Sequence, residues 1–133
     1  MQNKILLVED SEDAREALAR LLELDDYTVV TADDGRNGLS VARAEHPDLI
    51  ITDINMPHMS GIDMIKVLRK EEDFKEVPIV VITAYGRTVS TQAIEVGADS
   101  VMTKPVEYDE LSDTVVKLLA APGPGNCSHH PAS

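Results

Sequence analysis

The sequence predicts an α/β protein built on one open parallel sheet with helices wound over both faces. Three observations carry that expectation. Short apolar runs alternate strictly with amphipathic segments along the chain. Three of the five runs are almost continuously apolar, the pattern of strands covered on both sides rather than of half-exposed antiparallel strands. Five strand–helix units in succession imply right-handed crossovers, which put the helices on the two faces of a doubly wound, five-stranded parallel sheet.

The first strand is expected in "KILLVE", residues 4–9, and the second in "TVVTA", residues 28–32. "DLIITD" (48–53), "PIVVITA" (78–84) and "SVMTK" (100–104) follow, the last less apolar and so placed at a sheet edge. The first helix repeats Ala14, Ala17, Leu18, Leu21 and Leu22 at three-four spacing, with Arg15, Glu16 and Arg20 on the opposite face. The second carries Leu39, Ala42 and Arg43, weakened by Gly38, and His46 falls at its end. The third is marked by Ile62, Ile65, Leu68 and Arg69, and the fifth turns Leu111, Val115, Leu118 and Leu119 inward. The fourth, "RTVSTQAIEV", groups Thr88, Val89, Ser90 and Thr91, all poor helix formers. It is expected to be held by tertiary contacts and to be easily repositioned. Residues 1–121 therefore read as one domain, and "PGPGNCSHHPAS", 122–133, as a disordered tail or the start of a linker.

At 133 residues with 43% hydrophobic content, one domain can bury about two-thirds of its unfolded surface. With no Trp and one Phe its core must be aliphatic. A net charge of −12, from 24 acidic and 12 basic residues, argues against direct nucleic-acid binding. It leaves room for a divalent cation or for a basic patch on a partner. The single cysteine, Cys127, has no partner for an internal disulfide and fits a reducing compartment. Neither a signal peptide nor an 18-residue apolar run is present, so a cytoplasmic location without membrane attachment is expected.

In an open α/β sheet, ligands bind outside the carboxyl ends of the strands. The first strand ends on Glu9-Asp10, the third on Asp53, the fourth on Thr83-Ala84 and the fifth on Lys104-Pro105. Each alone has an ordinary explanation. Asp10 or Ser11 could simply cap the first helix, Glu9 could be a solvated strand end, Thr83 a β-branched strand residue and Lys104 a surface lysine. Together they gather three carboxylates, a hydroxyl and an ammonium at one mouth. Carboxylates brought that close repel unless a proton or cation intervenes. An all-oxygen set suits Mg²⁺, which keeps several waters and often acts beside a phosphoryl group. The lysine and threonine suit phosphoryl oxygens, and an aspartate can itself attack, forming an acyl phosphate. Met56 and Met59 fit packing filler better than a partner surface. Cys127, His129 and His130 lack a fourth ligand for a metal site.

The run "DINMPHMSG", residues 53–61, resembles the D-x-x-M-P-x-M-x-G signature of response-regulator receiver domains. Glu9-Asp10, the "TAYG" run with Thr83, and "TKP" with Lys104 fall in the matching order, and the likeness covers residues 3 to 121. The resemblance implies strand order 2-1-3-4-5, the flavodoxin-like arrangement. It implies that Asp53 accepts a phosphoryl group from a histidine kinase or histidine phosphotransfer protein, and that the domain is a signalling switch rather than a turnover enzyme. Asp10, Asp53 and the backbone carbonyl of Asn55 would ligate Mg²⁺, with Glu9 acting through water. Thr83 would move toward the phosphoryl group, Lys104 would pair with it, and Lys104-Pro105 would be cis. A downstream protein target would then read the face of the fourth helix, fifth strand and fifth helix.

The family's common aromatic switch position, three before the lysine, holds Val101 here, which cannot make the rotation of a ring. Asn55 and Tyr85 are the side chains expected to flank the attacking water in dephosphorylation, and Ala84 and Tyr85 to control access. Other functions fit less well. A haloacid-dehalogenase-like phosphatase would want an acid two residues after the nucleophile, where Asn55 stands. A flavodoxin-like cofactor module would need a hydroxyl- and glycine-rich loop where "EDSED" would repel phosphate. An unphosphorylated interaction domain on the same fold would not need the whole site.

Overall fold

The structure is a computed structural model that describes residues 2–56, 58–84 and 87–120, with no side-chain detail for residues 87 and 88. The expected tail, 122–133, with its Cys127, His129 and His130, lies outside the described residues, as does Tyr85.

Five parallel strands, β1 (Lys4–Val8), β2 (Thr28–Ala32), β3 (Leu49–Asp53), β4 (Ile79–Thr83) and β5 (Ser100–Thr103), lie in the order β2-β1-β3-β4-β5. Five helices connect or follow them: α1 (Glu12–Leu24), α2 (Gly35–Glu45), α3 (Gly61–Lys70), α4 (Arg87–Val96) and α5 (Tyr108–Ala120). A short 3₁₀ turn, Glu72–Phe74, precedes β4. The continuously apolar runs are the interior strands. Every residue of β3 and β4 is buried, whereas β2 and β5 form the edges and are only partly covered.

Alternation along each strand divides the core into two layers. Leu6, Val8, Ile50, Val81, Met64, Ile65 and Leu68 pack on the side of α2 and α3. Ile5, Leu7, Leu49, Ile51, Val80, Ile82, Leu22, Leu111 and Val115 pack on the side of α1 and α5. Val101 and Val89 join the first layer, and Met56 and Met59 pack there too, which fits filler rather than an exposed sticky patch. Gly38 does not weaken α2 idly. A side chain there would collide with Met64 and Val8, so the glycine brings α2 close to the sheet.

One helix departs from its expected face, and another carries a buried anchor. On α1 only Leu22 is fully buried. Leu18 is half-buried, while Ala14, Ala17 and Leu21 line an open cleft of about 540 Å³ between α1 and the segment Lys104–Tyr108. Arg15, expected on the solvent face, is half-buried and folds back toward β1. On α3, Arg69 turns inward. Its guanidinium donates to the carbonyls of Phe74 (2.6 Å), Val77 (2.8 Å) and Gly97 (2.8 Å) and to Asp99 Oδ2 (3.0 Å). Burial lowers its pKa, and the charge of Asp99 opposes that shift. Gly97 has φ +119, a backbone conformation L side chains rarely adopt, and a Cβ there would also strike Arg69. Arg69 thus ties the end of α3 to the turn after α4.

Candidate functional site

The carboxyl ends of β1, β3, β4 and β5 meet at one edge of the sheet, and the side chains that follow them converge. At the end of β1 the Glu9 N–H donates to Ala32 O at 3.0 Å, extending the pairing with β2 by one residue. Ser11, not Asp10, caps α1: its side chain accepts from Ala14 N and its backbone is extended. That assignment leaves the Asp10 carboxylate exposed at the mouth. Glu9 turns inward and is 8% exposed; its Oε2 accepts from Ser11 N at 3.0 Å.

Asp53 closes β3 with 8% exposure, and its two carboxylate oxygens have different partners. The Ile54 N–H donates to Oδ1 at 2.6 Å, and Lys104 Nζ donates to Oδ2 at 2.6 Å. The same ammonium lies 3.4 Å from Glu9 Oε1. Thr52 Oγ1 donates to the Asp53 carbonyl at 2.7 Å, which fixes the peptide behind the carboxylate. Gly61, at the start of α3, is pressed against that carbonyl; a Cβ would lie 2.2 Å from Asp53 O. Only glycine lets α3 begin directly over the strand end. Ser60 caps that helix through Asp63 N, and the Gly61 N–H donates to Ile54 O, so the loop between β3 and α3 is held at both ends.

Ligand oxygens of Glu9, Asp10 and Asp53 all lie within 4.8 Å of one another. Among the described residues, Lys104 is the cation that ion-pairs with this group. Burial is the main cause that raises the Glu9 pKa, and the charge of Asp53 and the bond with Asp10 add to it; Ser11 N–H and Lys104 pull the other way. Burial by itself would lower the Lys104 pKa, but the hydrogen bond and charge of Asp53, and then Glu9, raise it. The ammonium therefore stays charged, yet it answers only part of the negative charge. Hard oxygen donors, partly buried and short of positive charge, fit a cation such as Mg²⁺.

The remaining expected residues fall around this centre. Thr83 is fully buried at the end of β4, and Ala84 is exposed just beyond it. Asn55 is exposed two residues after Asp53. The Lys104–Pro105 bond is cis. Val101 is half-buried on the side of the first core layer, away from the α1 cleft. The Ile54 N–H on Asp53 Oδ1 was not read from the sequence, nor was the Arg15 bond to the Glu9 carbonyl beside the site. A backbone donor leaves no residue signature, and Arg15 sits at a helix position that the apolar spacing assigns to solvent.

The comparisons with known proteins point to one family. A family model described as the response regulator receiver domain matches residues 5–116. A protein described as "Probable transcriptional regulator ycf27" from Cyanophora paradoxa is 37% identical over 119 residues, 89% of this chain and 48% of the relative. The chain thus spans about half the length of that relative. The polar-differentiation response regulator DivK of Brucella ovis is 28% identical over 120 residues, covering 90% of this chain and 98% of the relative. The crystal structure of the chemotaxis response regulator CheY4 of Vibrio cholerae superposes with a TM-score of 0.83 at 32% identity, over 89% of this chain and 99% of that one. With the strand order, the acidic cluster and the Asp53–Lys104 pair already in place, the match over residues 5–116 shows that the chain belongs to the response-regulator receiver domain family.

Proposed function

We propose that Asp53 is the phosphoacceptor of a signalling switch, phosphorylated by a histidine kinase or a histidine phosphotransfer protein. The observation that carries this is the pairing of a buried strand-end carboxylate with Lys104 at 2.6 Å, beside Glu9 and Asp10. Ile54 N–H holds Oδ1, so Oδ2 is the oxygen on the Lys104 side and the one that attacks. As the new P–O bond forms, the P–N bond of the phosphohistidine breaks. The imidazole leaves with the electron pair and takes a proton from solvent. Lys104 then transfers its ion pair to a phosphoryl oxygen, and the Thr83 hydroxyl donates to another.

Asp10, Asp53 and the Asn55 carbonyl would hold Mg²⁺, with Glu9 acting through water; the ion would supply charge neutralisation for the acids and the phosphoryl oxygens. The chain is a switch that promotes its own phosphorylation and dephosphorylation rather than an enzyme with an external product. Asn55 would flank the water that ends the phosphorylated state, and the family resemblance assigns Tyr85, outside the described residues, the same role. The output is the face of α4, β5 and α5, where Ile94 and Val116 are exposed, read by a downstream protein in the cytoplasm. Because Val101 is aliphatic, the coupling runs through Thr83 and α4. A differential interaction of about 1.4 kcal/mol is enough for a tenfold shift between two states.

Incubation with a small phosphodonor and Mg²⁺, followed by intact mass measurement, is expected to show one stable phosphoryl adduct that Asp53→Ala lacks. Release of phosphate over many turnovers with no adduct would point to a phosphatase instead. An unmodified protein would remove the phosphoacceptor assignment.

A further inference from the structure

Arg15 is not needed by the chemistry above, yet it is the one charged side chain of α1 whose hydrogen bond reaches the acid pair's backbone among the described residues. Its Nη1 donates to the Glu9 carbonyl at 2.8 Å, in a half-buried position. The other polar atoms of Glu9 are also engaged, through Ala32 O, Ser11 N and Lys104 Nζ. That carbonyl belongs to the Glu9–Asp10 peptide. Fixing its direction fixes the plane from which the Asp10 side chain leaves, because the peptide is planar. Asp10 itself is exposed and has no such restraint on its carboxylate from the Ser11 cap.

We infer that Arg15 is a positioning residue: its bond to the Glu9 carbonyl sets the Glu9–Asp10 peptide so that the two acids face Asp53 and receive the cation ready-made. This rests on the cation-site assignment made for Glu9, Asp10 and Asp53. A hydrogen bond and a charge make opposite demands here, which gives the inference its test. If Arg15 mattered only as a nearby positive charge, removing it would tighten cation binding. If it positions the acids, removing it loosens binding, since the freed peptide must be ordered when the cation arrives.

The test is a titration of the unphosphorylated 133-residue chain with MgCl₂, followed by backbone amide NMR, for wild type, Arg15→Met and Arg15→Lys. Arg15→Met keeps most of the apolar stem while losing both donor and charge. It is expected to weaken Mg²⁺ binding roughly threefold to tenfold, the size of one net hydrogen bond. In phosphorylation assays the Mg²⁺ concentration for half-maximal rate rises by the same factor, and the rate at saturating Mg²⁺ stays within twofold or so of wild type. Arg15→Lys, which retains a donor for the same carbonyl, lies between the two. Unchanged or tighter binding in Arg15→Met overturns the inference, as does an Arg15→Lys chain no better than Arg15→Met. If wild type itself shows no Mg²⁺ shifts at Asp10 and Asp53, the cation-site assignment fails, and that result is distinct from an equal response in all three chains.

Discussion

Lys104 Nζ, between Asp53 Oδ2 and Glu9 Oε1, is the counter-charge of two of the acids to which a divalent cation is proposed to bind. Replacing it by methionine keeps the stem over the cleft and removes the charge. Lys104→Met is expected to bind Mg²⁺ roughly tenfold more tightly, since near-surface charges a few ångströms apart interact by a few kcal/mol before solvent and salt screen them. Without Mg²⁺ the same variant melts below wild type, because Glu9 and Asp53 lose their counter-charge; added Mg²⁺ narrows the gap. Calorimetric titration and melting curves check both halves. Asp53, Thr83, Lys104, Glu9 and Asp10 were legible in the sequence because each ends an apolar run, and parallel strands bring all such ends to one edge. Arg15 was hidden because a long side chain can fold back from a polar helix position onto a backbone atom that no residue pattern reveals.

Between elements, α1 and α5 are latched at the far end of the cleft from Lys104. The Tyr108 hydroxyl, donating to Asp25 Oδ2 at 2.6 Å, also lies 3.1 Å from Leu21 O, and Ser112 Oγ approaches the same carboxylate at 3.3 Å. Burial first, then the bond to Asp25 and its charge, hold the Tyr108 pKa above the ordinary phenol range. The folded protein therefore keeps this proton more tightly than the unfolded chain does. The resulting stabilisation is whole below about pH 10, the unfolded phenol value, and drains away as pH rises beyond it. Tyr108→Phe is expected to cost about 1 kcal/mol at pH 8, discounted for partial exposure, and to flatten the alkaline fall. Urea unfolding of both chains at pH 8 and pH 11 measures it. The expected inward face of α1 did not foresee this arrangement. Ala14, Ala17 and Leu21 have helical spacing, but the segment after β5 stands off and leaves a cleft where the spacing promised a covered stripe. Strands fared better, since a fully buried parallel strand has both faces apolar and needs no choice of side.

Across the whole molecule the sheet is a partition. Ile5 belongs to the layer under α1 and α5, and Ile65 to the layer under α2 and α3, with no shared cluster. Ile5→Val and Ile65→Val are each expected to cost about 1 kcal/mol, and the double variant should cost their sum to within about 0.5 kcal/mol. Coupling beyond that in denaturant unfolding would mean that strain crosses the sheet. Sheet order could not be derived from alternation alone, because parallel crossovers permit several orders; only likeness to a known family supplied it. A long-range anchor such as Arg69 was equally out of reach, since most of its partners are backbone carbonyls, in the stretch before β4 and the turn after α4, with the Asp99 carboxylate beyond them. Arg69 has a mechanical consequence. It grips the carbonyl of Gly97, immediately after α4, while the other end of that helix lies toward Thr83 and the site. A rigid rod pinned at its tail has one easy motion, a swing about the pin, with the arc widest at the free tip. Over ten residues, about 15 Å of rod, a tilt of a few degrees hardly disturbs Val96 yet shifts the start of α4 by about an ångström. Any partner that senses the swing has most to gain by touching α4 near its first turn.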